Sequence, residues 1–161
     1  MKKHLLFFVL LLSIFYSACK TQCPPLTDSQ KADIEKQIQE LWDKLTIPIL
    51  KADADGYAPF VSSDEFIASY EGGTLALRSK TELIDTLRAW FSNRKSNEFQ
   101  QKTVKITVLA ENLVVLDQLC ILQINFKDDT MMRLNDAISF IFKKETSGWK
   151  VIHAHESWKF I

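Results

Sequence analysis

Gly148-Trp149-Lys150-Val151-Ile152-His153-Ala154-His155-Glu156-Ser157-Trp158 reads as the last strand of a sheet. A turn glycine and an aromatic residue open it, and an alternating pattern follows. Side chains along a strand point to opposite faces in turn. Unbroken alternation puts Trp149, Val151, His153, His155 and Ser157 on one face. It puts Lys150, Ile152, Ala154, Glu156 and Trp158 on the other.

Working back from this strand, everything after Arg94 reads as sheet. Val104, Ile106, Val108 and Ala110 alternate with Thr103, Lys105 and Thr107, and Glu111-Asn112 turns the chain. Leu113–Phe126 is almost continuously apolar, Lys127-Asp128-Asp129 turns again, Met131–Lys143 returns, and Thr146-Ser147-Gly148 closes the last hairpin. Upstream, Thr27-Asp28-Ser29-Gln30 is a capping box. Ile34, Ile38, Leu41 and Leu45 then mark the apolar stripe of a helix, with Trp42 beside it and Pro48 ending or kinking it. A short helix is expected over Asp55–Phe60, and short strands over Glu65–Tyr70 and Thr74–Leu77 around the turn Glu71-Gly72-Gly73. Ser79-Lys80-Thr81-Glu82 is a second capping box, opening a helix whose apolar face is Leu83, Ile84, Leu87, Trp90 and Phe91. This order predicts an α+β fold with helices on one face of a curved, mostly antiparallel sheet.

The pattern G-W-K-V-I-H-x-H-x-S resembles the closing strand of nuclear transport factor 2-like domains. It is most similar to the SnoaL-like branch and to the association domain of calcium/calmodulin-dependent kinase II. The resemblance covers residues 27–161 and implies a cone-shaped half-barrel, helices packed in the concave face of the sheet, around a pocket. It implies no particular reaction, since enzymes, ligand binders and assembly modules share the scaffold. The kinase domain's histidines lie away from its pocket, so the resemblance turns His153 and His155 outward and Ile152, Ala154, Glu156 and Trp158 inward. Hairpin alignment adds Gln118, Cys120 and Ser139 to the lining, with Arg133 near the rim. Trp42, Phe66, Tyr70 and Trp90 approach from the helices and short strands. The kinase domain carries arginines at three lining positions that align here with Cys120, Ser139 and Glu156, which disfavours an anionic ligand.

The N-terminus reads differently. Lys2, Lys3 and His4 precede an apolar run from Leu5 to Tyr16, too short for a bilayer core that needs about 20 residues. Small residues Ser17 and Ala18 then lead into Cys19, the layout of a secretory signal. Tyr16-Ser17-Ala18-Cys19 resembles the lipobox of bacterial lipoproteins, with Tyr16 where an aliphatic residue is usual. The expected organisation is a signal over 1–18, a tether over 19–26 and one domain over 27–161. Cys19 would be lipidated and the protein anchored in the cell envelope; plain secretion to the periplasm or beyond is the alternative. Cys23 and Cys120 read as free thiols.

Residues 1–18 hold two lysines and no acid, so the remainder carries 18 basic and 20 acidic residues. No basic stripe or nucleic-acid-reading motif is present, and no nucleic-acid partner is expected. His153 and His155 have metal-like spacing, but a zinc site needs further ligands and the third histidine, His4, lies in the signal. No metal and no cofactor are expected. Leu113–Phe126 is greasy on both faces, whereas one face of a solvent-facing antiparallel sheet should be polar. A homodimer through the outer sheet face is the expectation. Glu156 is the one carboxylate on the inferred lining, a weak candidate for catalysis with Tyr70 as a possible donor. The leading reading is therefore a membrane-tethered domain that binds a small apolar molecule or a peptide without catalysis. A SnoaL-like isomerase, cyclase or hydrolase, and an assembly module with a vestigial pocket, are the alternatives.

Overall fold

The computed structural model describes residues 25–64, 66, 68–71 and 74–161; within it, the side chains of 68–71 and 74–76 are not described. Helix α1 (Asp28–Leu50) begins at Thr27, whose hydroxyl accepts from the Gln30 amide while the Gln30 side chain accepts from the Thr27 amide. Its buried residues include Ile34, Ile38, Trp42 and Leu45, with half-buried Leu41 packed against the same core. Pro48 sits in the last turn, and the helix runs on to Leu50. The Ile49 carbonyl, which accepts from the Ala52 amide, also accepts from Asn97 Nδ2 at 2.6 Å, which ties the helix end to the sheet.

Helix α2 (Ala54–Tyr57) and a 3₁₀ turn (Ala58–Phe60) follow. Strands β1 (Ala68–Glu71) and β2 (Thr74–Leu77) lead to α3 (Lys80–Phe91). Ser79 caps α3 by accepting from the Glu82 amide, but the Glu82 carboxylate turns to the Arg78 amide, so only half of the expected box forms. Four long strands complete the chain: β3 (Arg94–Ala110), β4 (Leu113–Phe126), β5 (Met131–Glu145) and β6 (Gly148–Phe160). Gly148 has φ 105°, a conformation side-chain-bearing residues rarely adopt, and this closes the β5–β6 hairpin.

The six strands are ordered β2-β1-β6-β5-β4-β3. All pairs are antiparallel except β1 with β6. The concave face carries Val114, Leu116, Leu134, Phe140 and Phe142, and the main core packs α1 and α3 against part of it. Trp149 Nε1 donates to Gln37 Oε1 at 3.1 Å and locks β6 to α1. This is an α+β half-barrel with its helices in the concave face.

One irregularity changes the reading of the last strand. Phe142 pairs with Val151, but Ile141 pairs with His153, so Ile152 is the extra residue of a β-bulge. Trp149 and Val151 therefore share the inner face with Ala154 and Glu156. Strict alternation had put them outside and Ile152 inside; the bulge reverses that assignment.

Candidate functional site

Three neighbouring strands bring polar groups into the middle of an apolar face. Gln118 on β4 lies opposite Ile138 on β5, which lies opposite Glu156 on β6. Asp136 is the next inward position on β5, between Cys120 on β4 and Trp158 on β6. Gln118 and Asp136 are 3 % and 5 % exposed. They are linked through Cys120: the Gln118 side chain bonds to the thiol, and Cys120 Sγ donates to Asp136 Oδ2 at 3.8 Å. Asp136 in turn is hydrogen-bonded to Glu156. A hydrogen bond between two carboxyl groups requires one of them to be protonated.

Burial pushes the Asp136 pKa up to about 6, with hydrogen bonds from Cys120, Glu156 and the Ala137 backbone pulling the other way. The Cys120 thiol is raised to about 12, first by burial and then by the charge of Asp136. Tyr57 is raised by burial and then by the charge of Glu156, so it stays a protonated hydroxyl at neutral pH. Asp136 Oδ1 and Gln118 Oε1 are buried acceptors with no hydrogen-bond partner among the described residues.

Tyr57, Gln118, Asp136 and Glu156 line a cavity of about 620 Å³. Trp42, Tyr57 and Phe140 wall one part, and the Trp42 and Phe140 rings lie 5.3 Å apart. A separate apolar cluster of Leu122, Ile124 and Leu134, with Phe99, Phe126 and Met132 against it, forms a second bay. Trp90 and Trp158, 38 % and 39 % exposed, belong to the lining and mark its opening. Arg94 is the only basic lining residue among the described residues. Its guanidinium lies 5.2 Å from the centre of the Phe91 ring and reaches Asn97 Oδ1 at 3.4 Å.

Of the residues expected from sequence, Trp42, Trp90, Gln118 and Glu156 line this cavity. Cys120 is buried on the same face and touches the site through Asp136 rather than lining it. Phe66 is a core residue and does not line the cavity. Ser139 is on the convex face, where its hydroxyl donates to Asp117 at 2.5 Å, opposite His155. Arg133 is exposed on that outer face as well, because inward residues of β5 are Leu134, Asp136, Ile138 and Phe140. His155 is exposed, and His153 is half-buried with its pKa lowered by burial and then by His155. Tyr70 contributes backbone to β1 but its side chain lies outside the described residues, as does Cys19 entirely. Among the described residues no cluster of three or more His, Cys, Asp or Glu could hold a metal ion.

Two lining residues escaped the sequence reading. Tyr57 was hidden in a short helix. Asp136 has the opposite strand parity to Ser139, which the sequence reading placed on the lining.

A family model described as the SnoaL-like domain matches residues 38–160. No curated protein sequence matches the chain. Among solved structures, a nuclear transport factor 2-like superfamily protein from Salmonella enterica serovar Typhimurium LT2 superposes with a TM-score of 0.69 at 14 % identity, over 79 % of this chain and 92 % of that one. Hexachlorocyclohexane dehydrochlorinase LinA-type3 from Novosphingobium barchaimii LL02 gives 0.68 at 11 %, over 84 % and 93 %. The association domain of C. elegans calcium/calmodulin-dependent kinase II gives 0.64 at 17 %, over 81 % and 99 %. At these identities the likeness is one of fold.

Proposed function

The chain belongs to the SnoaL-like domain family, and we propose that it is an enzyme that moves a proton on a small, largely apolar molecule, with Asp136 and Glu156 as the transfer pair. The observation that carries this reading is the hydrogen bond between two carboxyl groups inside an apolar cavity. A general acid or base works best with its pKa near the operating pH. Burial brings Asp136 to about 6. Groups so perturbed in a cleft are candidates for function.

Elimination and isomerisation both begin by taking a proton from carbon. The ionised carboxyl accepts that proton, and the C–H electron pair becomes the new double bond. In an elimination the protonated partner then gives its proton to the departing group, so one proton enters the pair and one leaves. Dehydrochlorination, the reaction in the name of the Novosphingobium protein, is an elimination. Tyr57, close enough to feel the charge of Glu156, supplies a hydroxyl donor beside the pair. With Glu156 alone, binding without catalysis was the better expectation; a second carboxyl in contact with it favours the enzyme.

The test is deuterium uptake from D₂O into the acidic C–H bonds of a panel of aryl ketones and β-substituted ketones, read by mass spectrometry. Uptake should depend on the protein and disappear in Glu156→Gln. Uptake unchanged by that substitution, or none across the panel, would count against proton transfer.

A lipid on Cys19 would hold the domain at a bacterial membrane, supported by the charged, apolar and small-residue order of residues 2–19. Pairing with a second copy through the convex sheet face is supported by Leu119, 49 % exposed, with half-buried Val115, Ile121 and Ile141 around it. The structural likeness to a kinase association domain agrees with assembly of this kind.

A further inference from the structure

We propose that Cys120 is a positioning residue for proton transfer: its thiol donates to Asp136 Oδ2 and fixes the rotation of that carboxyl within the cavity. The proposal rests on the proton-transfer reading above and adds a residue to it.

The sheet makes the contact. Cys120 on β4 and Asp136 on β5 are directly paired, and both are buried on the concave face, at 2 % and 5 % exposure. Side chains so paired across two strands have Cβ atoms about 4.5–5.5 Å apart. Cys120 Sγ lies 3.8 Å from Asp136 Oδ2. A hydroxyl bond closes at about 2.5–3.0 Å, so the larger sulfur suits a gap of this width.

The direction of the bond follows from the two groups. An ionised carboxyl only accepts, and the thiol hydrogen is the one donor the Cys120 side chain has. Burial, then the charge of Asp136, raises the thiol to about 12, so it keeps that hydrogen while the carboxyl titrates. For the same reason Cys120 does not serve as a nucleophile, since the thiolate is the reactive form. The Gln118 amide, two residues earlier on the same face, donates to the sulfur and holds it in turn. A donor on the ionised carboxyl opposes the effect of burial on Asp136.

Among the described residues, the other ionisable groups lining the cavity are Glu156 on β6, Tyr57 on α2 and Arg94 on β3. Glu156 is hydrogen-bonded to Asp136, and Tyr57 stays protonated. Arg94 stands opposite Phe126, at the far end of β4 from Cys120's partner Gln101.

The experiment compares the full wild-type chain with Cys120→Ala and Cys120→Val, which bracket cysteine in size and both lack a donor. Asp136 is titrated by carboxyl-carbon NMR, and deuterium uptake into the ketone panel is followed against pH. The Asp136 midpoint should rise by at least about half a pH unit in both variants, because the ionised form loses a donor. The pH of half-maximal uptake should rise with it. Uptake at pH 8 should fall at least about tenfold, since a misplaced base reacts slowly. Unmoved midpoints in both variants overturn the positioning role and leave proton transfer standing. Midpoints that rise while uptake keeps its profile and rate overturn it too, because the bond would then serve the fold alone. Absence of uptake in the wild type removes the reaction and the role together. If one variant fails to fold by circular dichroism, the other decides. If both fail, the infrared S–H band of the wild type decides: one component should shift as Asp136 loses its charge near pH 6, and a band constant from pH 4 to pH 8 overturns the proposal.

Discussion

Replacing Asp136 with Asn should stabilise the fold at neutral pH while damaging the site. The carboxyl has a reference pKa of 3.8 and is raised to about 6 in the folded protein, chiefly by burial. A tenfold change in proton affinity is worth about 1.4 kcal/mol, so burying the ionised group costs about 3 kcal/mol. Linkage sets the sign. Above pH 6 the group is ionised in both folded and unfolded chains, and the whole cost is felt. As pH falls through 6 the folded form takes up the proton first and the cost shrinks; below 3.8 it is gone. Asn has nearly the same shape and carries no charge. Urea unfolding of wild type and Asp136→Asn at pH 8 and at pH 4 measures the effect. Asp136→Asn should be more stable by about 2–3 kcal/mol at pH 8 and indistinguishable at pH 4. Equal stability at pH 8, or a variant less stable there, would refute the claim that burial of the Asp136 carboxyl costs more than its hydrogen bonds return. A gain of that size would mark Asp136 as kept at the expense of stability, the usual pattern for a working site.

Other consequences can be checked more quickly. Cys120, buried and raised to about 12, should resist iodoacetamide in the folded protein at pH 8 and react on unfolding; peptide mapping that finds it alkylated in native protein would contradict its placement. Leu119→Lys should convert a dimer into monomers by analytical ultracentrifugation, whereas a wild type that is monomeric at high concentration would dismiss the sheet-face interface. Cys19→Ala should move the protein from the membrane to the soluble fraction, and identical partitioning of the two would remove the lipid anchor.

How much the sequence disclosed depended on whether local chemistry was unambiguous. Thr27 and Gln30 announce the start of α1 because few other arrangements satisfy those orphan amides. The four long strands and their turns were legible for the same reason. The last strand was legible except at Ile152: a bulge adds one residue without any required residue type, and it exchanges the two faces for everything on one side of it. On β5 the difficulty was different. Ala137 and Ile141 on one face are as apolar as Ile138 and Phe140 on the other, so period-2 alternation could not choose between them. Ser139 was consequently assigned to the pocket and Asp136 was not. A signal did exist: Leu134, Ile138, Phe140 and Phe142 have the bulkier side chains, and Asp136 shares their parity. Tyr57 offered no comparable clue, since its approach to Glu156 depends on how α2 packs against the sheet.

Carboxyl-carbon NMR titration of Asp136 decides whether Asp136 and Glu156 hold one proton between them inside the cavity. Burial of the carboxyl should put the midpoint near pH 6. A midpoint near 4, the ordinary value for an exposed aspartate, would contradict it.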